Sequence, residues 1–376
     1  MNGGTAADVA GAARAAGARV LALPLAENGP SSERADVQVT GTVYLDLVFS
    51  GLAGPPFPGR EVRSQGFGAS PGGVANLAIS LRRLGLAVRL DAAFSTDPHG
   101  DYLWRILADQ EGVDLCGSVR FDGWPTPLTV SLVYQGDRSM VTYERPQPTP
   151  VTAFLETTIP TAEIVFAYLG RTAPTWLAHA RESGMRIFAD VGWDETELWE
   201  EEDLAGLAHV EAFLPNCVEA MAYTGMDSPE SAGNVLAERV PLVVVKCGSD
   251  GAIGWRAGEA SPVREPAIDV ATIDPTGAGD VFDAALIYGT VAGWTLQEAL
   301  RFGNLCAGLS VRHHGGSLSA PTWAEIAGWI AQHPDPDQYR YLQPHLGRAG
   351  EVAKSQGADV RRASSHVIPS MRRTDP

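Results

Sequence analysis

The segment best suited to chemistry spans residues 274–280, with the sequence DPTGAGD, between two apolar runs. Ala267–Ile273 before it is typical of a strand, and Val281–Tyr288 after it is typical of a helix. Small residues at 277–279 allow a tight turn that presents backbone N–H groups at the helix N-terminus, where the dipole attracts an anion. Asp280 can accept a proton from a hydroxyl that attacks a phosphate. The spacing favours phosphoryl transfer, although a turn and helix cap is the simpler meaning of GAGD alone.

A second polar group lies before a predicted helix over Asn76–Leu84, far from the first group in sequence. Gly72 and Gly73 precede the helix, and Asp46 follows the first predicted strand. A carboxylate and an amide can accept hydrogen bonds from, and donate them to, the neighbouring hydroxyls of a sugar. Without a partner site, the same residues are a turn and a solvent-facing first-turn Asn.

Residues 274–282 resemble the second signature of the phosphofructokinase B, or ribokinase-like, carbohydrate kinases. The resemblance extends over about residues 37–330 and implies transfer of the γ-phosphoryl group of ATP to a hydroxyl of a sugar-like molecule. No GxxxxGK[ST] sequence occurs, so a P-loop mechanism is not expected. The family assigns an anion hole to Gly277, Ala278 and Gly279, the base to Asp280, a nucleotide contact to Thr276 and a monovalent cation, such as K⁺, to Asp274.

The segment around Gly72 and Gly73 resembles the first signature of the same family. By this resemblance, Gly72, Gly73, Asn76 and Asp46 bind the substrate. The spacing departs from the usual GGxxxN, because Pro71 stands at its first position. One of the substrate contacts that the resemblance implies is therefore left undecided.

The nucleotide end resembles the family at three further places. Asn216 and Glu219 match an NxxE motif that organises Mg²⁺ and its waters, and Mg²⁺ prefers oxygen ligands and retains water. Lys246 stands where Thr is frequent, so it either reaches phosphate or is buried and paired. The remaining nucleotide contacts implied are Gly248, Gly251, Asn304 and Ala307.

Short apolar runs that alternate with helical patterns predict an α/β fold, a three-layer α/β/α sandwich with a mostly parallel central sheet. A hairpin signal at 135–137 joins two further strands. We expect a small β lid from about 44–65 and 125–145, or alternatively a plain edge hairpin. The predicted strands are Val37–Val43, Ala87–Phe94, Leu128–Tyr134, Ser139–Glu144, Ile164–Leu169, Arg186–Ala189, Ala212–Leu214 and Leu242–Lys246.

The amino-acid composition limits which binding partners and which cell compartment are expected. The formal net charge of -17 disfavours binding to nucleic acid or an anionic membrane. The four cysteines form no CxxC pair, which fits a cytoplasmic protein. We predict a flexible extension over 1–35, a kinase domain over 36–332 and a loosely ordered tail over 333–376.

The sequence leaves the acceptor open among three kinds of molecule. A sugar is favoured, a nucleoside requires an apolar slot, and a phosphosugar requires cations at the far end of the pocket. A sugar-binding regulatory protein without turnover is the alternative from another class, and a homodimer through the lid strands is expected from the resemblance. The residues considered for these roles are Phe49, Phe67 and Tyr143 for the slot and Arg138, Arg145 and Arg171 for the cations.

Overall fold

The computed structural model describes residues 35–346, except 136, 151–161, 172 and 195. The predicted N-terminal extension lies outside this part apart from its last residue, and so does the predicted tail beyond residue 346. Within the described part, no helix has the length and apolar character needed to cross a membrane.

Strands and helices alternate along much of the described chain, although the strands within 119–143 and within 242–265 follow one another with no α-helix between them. The strands are β1 (Ala35–Ser50), β2 (Gly66–Gly73), β3 (Val88–Ser95), β4 (Val119–Phe121), β5 (Leu128–Tyr134), β6 (Asp137–Tyr143), β7 (Ala162–Tyr168), β8 (Arg186–Asp190), β9 (Ala212–Phe213), β10 (Leu242–Lys246), β11 (Ala252–Arg256) and β12 (Val263–Glu265). The helices are α1 (Val74–Arg83), α2 (Pro98–Arg105), α3 (Thr175–Glu182), α4 (Cys217–Thr224), α5 (Pro229–Ala237), α6 (Ala278–Val291), α7 (Leu296–Ser310), α8 (Trp323–Ile330) and α9 (Gln343–Leu346).

The main sheet has the order β12-β11-β10-β9-β8-β7-β1-β3-β4. Neighbours from β10 to β4 are parallel, whereas β11 and β12 pair antiparallel at one edge. Successive side chains of a strand point to opposite faces, so Ile164 and Val165 enter different apolar clusters. Both faces of the sheet are therefore packed, and the predicted three-layer α/β/α sandwich is confirmed.

A small second sheet stands on the main one because β1 takes part in both. Residues 37–42 pair with β3, and residues 43–50 pair with β2. On its other side this upper half of β1 pairs with β5, which pairs with β6. We call the sheet β2-β1-β5-β6 the lid. Its strands β5 and β6 lie within the predicted range 125–145, but β2 lies beyond the predicted 44–65.

Two expectations were wrong, a strand over 267–273 and a tail that is loose from residue 333. Ala267–Ile273 forms no strand, and β12 lies just before it. Its apolar side chains suggested a strand, but they stay partly exposed along a cleft wall. The tail was predicted to be loose from residue 333, yet Pro336–Leu342 forms a 3₁₀ helix whose Tyr339 and Leu342 are buried. Burial of these two side chains anchors the segment to the main core.

Candidate active site

The predicted catalytic motif lies at the start of α6, on one wall of a cleft of about 1260 Å³ between the main sheet and the lid. Gly277 has φ +75°, a left-handed conformation that favours glycine, and helical geometry begins at the next residue. Gly277, Ala278 and Gly279 all line the cleft. Because first-turn N–H groups of a helix lack intrahelical acceptors, this turn can bind an anion.

Asp280 is held by two side chains from other elements. Its Oδ1 accepts a hydrogen bond from Tyr168 Oη at 2.8 Å, and its Oδ2 accepts one from Asn76 Nδ2 at 3.0 Å. Burial raises the pKa of Asp280, while the Tyr168 hydrogen bond, the Lys246 charge and the Asn76 hydrogen bond act in the opposite direction. Each carboxylate oxygen keeps a second lone pair, so the group is oriented and can still accept a proton.

Sequence reasoning missed Tyr168. It is the last residue of β7, and the carboxyl ends of neighbouring parallel strands meet at the same edge of the sheet. The predicted strand Ile164–Leu169 already placed Tyr168 near that edge, which was the available signal. An apolar strand pattern, however, does not show which terminal side chain meets Asp280 of α6.

Asp46 occupies the lid side of the cleft, where it stands opposite Ser70 of β2 and Thr129 of β5. Its side chain is buried, and burial, with the negative charges of Asp280 and Asp274, raises its pKa to about 7. A Cβ atom at Gly72 would overlap the Asp46 carboxylate. Gly72 therefore leaves space for Asp46.

The four residues predicted to bind the substrate therefore do not all line the cleft. Asp46, Gly73 and Asn76 line the cleft, whereas Gly72 does not belong to its lining. Asn76 also joins this group to the catalytic motif through its hydrogen bond to Asp280. The two sequence signatures thus meet in space.

Lys246 is buried and paired, which decides between the two alternatives left open by the sequence. Its Nζ lies 2.8 Å from Asp190 Oδ2 and 2.8 Å from Asp283 Oδ2. Burial alone would lower the pKa of Lys246, but the two carboxylates raise it, so the ammonium stays charged. The same Nζ is 3.6 Å from the Cβ position of residue 279. A fixed positive charge therefore lies beside the anion-binding turn.

The two carboxylates around Lys246 were not predicted. Asp190 ends β8, and Asp283 lies three residues after Asp280 in α6, a spacing that puts both on neighbouring positions of one helix face. The helical spacing was readable in the sequence. The ion pair was not, because it depends on β8 and β10 meeting α6 at one sheet edge.

Asn216 and Glu219 form a reciprocal cap at the start of α4. Asn216 Oδ1 accepts from the Glu219 N–H at 3.0 Å, and Glu219 Oε2 accepts from the Asn216 N–H at 2.8 Å. Both residues also line the cleft, and burial, followed by the Asp190 charge, raises the pKa of Glu219 to about 7. Among the described residues no group of three or more metal-ligating His, Cys, Asp or Glu side chains occurs. Isolated oxygen donors fit Mg²⁺, which keeps much of its water.

Asp274 ties the motif to a distant loop. Its Oδ1 accepts from the Thr276 N–H at 3.0 Å, and its Oδ2 accepts from the Gly315 N–H at 3.1 Å. Asp274 is buried outside the cleft lining, whereas Thr276 belongs to the lining. The observed contacts of Asp274 are therefore structural.

The remaining predicted nucleotide residues line the same cleft. Asn304 Nδ2 donates to the Glu265 carbonyl at 2.9 Å, so this amide holds the end of β12 in place. Ile268 and Val270 add an apolar wall beside it. An apolar wall next to backbone polar groups suits a planar base. The predicted residues concerned are Gly248, Gly251, Asn304 and Ala307.

Comparisons with known proteins find relatives in sequence and in fold. A family model described as "pfkB family carbohydrate kinase" matches residues 35–323. A 2-dehydro-3-deoxygluconokinase of Bacillus subtilis is 28% identical over 69% of this chain and 86% of its own length. A 5-dehydro-2-deoxygluconokinase of Shouchella clausii is 25% identical over 79% and 96%. The structure of Arabidopsis thaliana ribokinase complexed with ribose and ATP has a TM-score of 0.64 and 23% identity, over 79% of this chain and 98% of that one.

Proposed function

Since the chain belongs to the pfkB family of carbohydrate kinases, we propose that it transfers the γ-phosphoryl group of ATP to a hydroxyl of a sugar or sugar-like molecule, with Asp280 as general base. The observation that carries the proposal is the position of Asp280. Its carboxylate is fixed by Tyr168 and Asn76, directly beside the turn at 277–279 and inside the cleft.

Each residue of the site has a separate role in the proposed reaction. Asp280 accepts the proton of the acceptor hydroxyl as the oxygen attacks phosphorus. The amides at 277–279 and the Lys246 ammonium stabilise negative charge that develops on the phosphoryl oxygens. Asp46 and Asn76 hold the acceptor, and the lid above them excludes water that would otherwise compete as the nucleophile.

Two cations belong to the proposal. Mg²⁺ supplies charge neutralisation on the phosphates of ATP, and Asn216 and Glu219 would hold it mainly through water. Asp274 would contribute to a K⁺ site through the lone pairs that its two backbone hydrogen bonds leave free.

A sugar fits the cleft better than a nucleoside. Phe49, Phe67 and Tyr143 were the candidates for a base-binding slot, and none of the three belongs to the described cleft lining. Phe49 and Phe67 instead pack against each other, with ring centroids 5.1 Å apart. The names of the relatives, two dehydro-deoxygluconokinases and a ribokinase with ribose, also support a sugar.

The exposed edge of the lid bears on the oligomeric state, and the cysteines bear on the cell compartment. The β6 strand is the edge of the lid, and Val141 and Tyr143 on it are 66% and 48% exposed. Apolar residues on an open edge favour pairing with another copy, so we propose a homodimer. We also propose a cytoplasmic location, because all four cysteines are free thiols.

A coupled ADP-release screen tests the activity. The purified protein with Mg-ATP is offered pentoses, hexoses, aldonic acids, their phosphates and nucleosides, beside Asp280→Asn. We expect turnover with at least one sugar and a loss of at least about 10²-fold in the variant. Asp109→Asn, which changes an exposed carboxylate outside the cleft lining, is the control. Turnover only with nucleosides, or undiminished turnover in Asp280→Asn, would refute the proposal.

A further inference from the structure

The inner face of β6 carries the side chains that close the acceptor end of the cleft. Alternate residues of a strand point the same way, and Arg138, Met140 and Thr142 all line the cleft. The residues between them, Ser139 and Val141, do not belong to the cleft lining. Arg138 stands opposite Val133 of β5, at the β5–β6 turn end of the lid. The lid therefore places one arginine above the substrate side of the cleft.

Arg138 carries unused hydrogen-bonding capacity. Its Nε is buried and has no hydrogen-bond partner among the described residues, and its guanidinium forms none of the ion pairs found there. A buried donor without an acceptor is unfavourable, and more so when it belongs to a charged group. A ligand that fills the cleft with an anionic acceptor would relieve this penalty.

The other cations near the cleft are committed elsewhere. Lys246 lies at the phosphoryl end, beside the turn at 277–279, where it also pairs with Asp190 and Asp283. Arg171, considered for the same role as Arg138, pairs with Glu200 and Asp203. Arg145 does not belong to the cleft lining. Within the described lining, Arg138 is thus the cation left for a ligand.

Arg138 also acts on the residue that is expected to bind the acceptor. Its positive charge lowers the pKa of Asp46, although burial and neighbouring carboxylates outweigh it and keep that pKa raised. The two side chains are therefore near enough to interact, yet no ion pair joins them. Both side chains line the same cleft, so part of the acceptor can contact both of them.

We propose that Arg138 binds a carboxylate of the acceptor, so that the substrate of this kinase is a sugar acid. The inference rests on the proposed function and specifies its substrate class. A guanidinium binds a carboxylate through two parallel N–H···O hydrogen bonds, which gives direction as well as charge. The anionic end then lies at Arg138, and the hydroxyl to be phosphorylated reaches Asp280.

A carboxylate suits this end of the cleft better than a phosphate. The same lining contains Asp46 and Glu144, and the Glu144 carboxylate accepts a hydrogen bond from Tyr44 Oη at 2.7 Å. One arginine can balance a single negative charge, whereas a phosphate monoester near neutral pH carries nearly two. A dianion beside two acidic side chains would need further cations.

The test compares three kinds of acceptor, which carry a carboxylate, no charge or a phosphate. Initial rates with Mg-ATP are measured for aldonic and dehydro-deoxyaldonic acids, the corresponding neutral aldoses and their 6-phosphates. Each is run with the wild type, Arg138→Gln and the control Arg171→Gln, which changes an exposed arginine outside the cleft lining. Isothermal titration of the same acids, without turnover, provides a second readout.

We expect an acid to be the best acceptor. Arg138→Gln should lower its kcat/KM by about 10- to 100-fold, mainly through KM, because a hydrogen-bonded charge pair to the substrate is lost. Neutral sugars should change less than about threefold, and Arg171→Gln should leave every acceptor within that range. The acid should also bind more weakly to Arg138→Gln in the titration.

Other outcomes overturn the inference. A preference for 6-phosphates that disappears in Arg138→Gln would make the anion a phosphate. A uniform loss with every acceptor would mean that Arg138 serves Asp46 or the lid. Activity with neutral sugars that is abolished in Asp280→Asn but indifferent to Arg138 would leave the kinase proposal intact and remove this one. Absence of all turnover would refute the kinase proposal, and titration would still decide whether Arg138 binds the acid.

Discussion

The hydrogen bond from Tyr168 to Asp280 makes a specific prediction about pH dependence. In Tyr168→Phe the ring remains but the donor to Asp280 Oδ1, at 2.8 Å, is lost. This hydrogen bond acts to lower the pKa of Asp280 against the effect of burial. Its removal must raise that pKa, so at acidic pH a smaller fraction of the base is ionised.

The size of the effect follows from the bond that is removed. A hydrogen bond to a charged group contributes about 1.5–3 kcal/mol, and we take the lower limit because Tyr168 is 36% exposed and water can replace it. About 1.4 kcal/mol corresponds to a factor of about ten. On the acid limb of the profile, kcat/KM should therefore fall about tenfold relative to wild type, with less than about threefold change at the alkaline plateau.

The assay is the pH profile of kcat and kcat/KM from pH 5 to 9, with saturating Mg-ATP and the best acceptor. The raised pKa values of Asp46 and Glu219, each about 7, also shape the wild-type curve, so the variant is read as a difference from it. Tyr223→Phe is the control, since this tyrosine lines the cleft and packs on Trp199. A uniform loss at every pH in Tyr168→Phe, without a change in shape, would refute the reasoning.

Two further predictions concern the acceptor site and the assembly. Gly72→Ala places a Cβ atom against the Asp46 carboxylate, so the KM for the acceptor should rise at least about tenfold while the KM for ATP stays constant. Gly54→Ala is the control, because the space around Gly54 is open. An unchanged acceptor KM in Gly72→Ala would contradict the role of Gly72. Sedimentation equilibrium should show twice the chain mass of 39.8 kDa, and Val141→Asp on the β6 edge should reduce it to one chain, whereas Val235→Asp should not. A wild-type monomer would exclude the proposed dimer.

The sequence predicted the parts of the site that depend on local chain geometry. The turn at 277–279 and the first-turn Asp280 follow from glycine content and helix spacing, which act over a few residues. The alternation of apolar strands and helices also predicted the sandwich, because a parallel sheet buries both faces. The three-residue spacing of Asn216 and Glu219 is also local, and the two residues cap the start of α4.

The parts that could not be predicted depend on distant elements meeting. Tyr168 reaches Asp280 only because β7 ends beside the start of α6, and Lys246 pairs with two carboxylates from other elements. The apolar run Ala267–Ile273 suggested a strand, since apolar content alone does not distinguish a sheet from the wall of a ligand cleft. Likewise, Gly72 was expected to contact the substrate, but it lies outside the cleft lining and leaves room for the Asp46 carboxylate.

The base assignment of Asp280 is the central claim, and single-turnover transfer tests it most directly. Protein preloaded with Mg-ATP is mixed with the acceptor in a quench-flow instrument, and phosphorylated product is measured for wild type and Asp280→Asn, after titration has compared their ATP affinities. We predict a transfer rate lower by about 10²- to 10⁴-fold with ATP affinity within about threefold, because the amide keeps the shape of the side chain but cannot accept the proton. A transfer rate within about threefold of wild type would contradict the account.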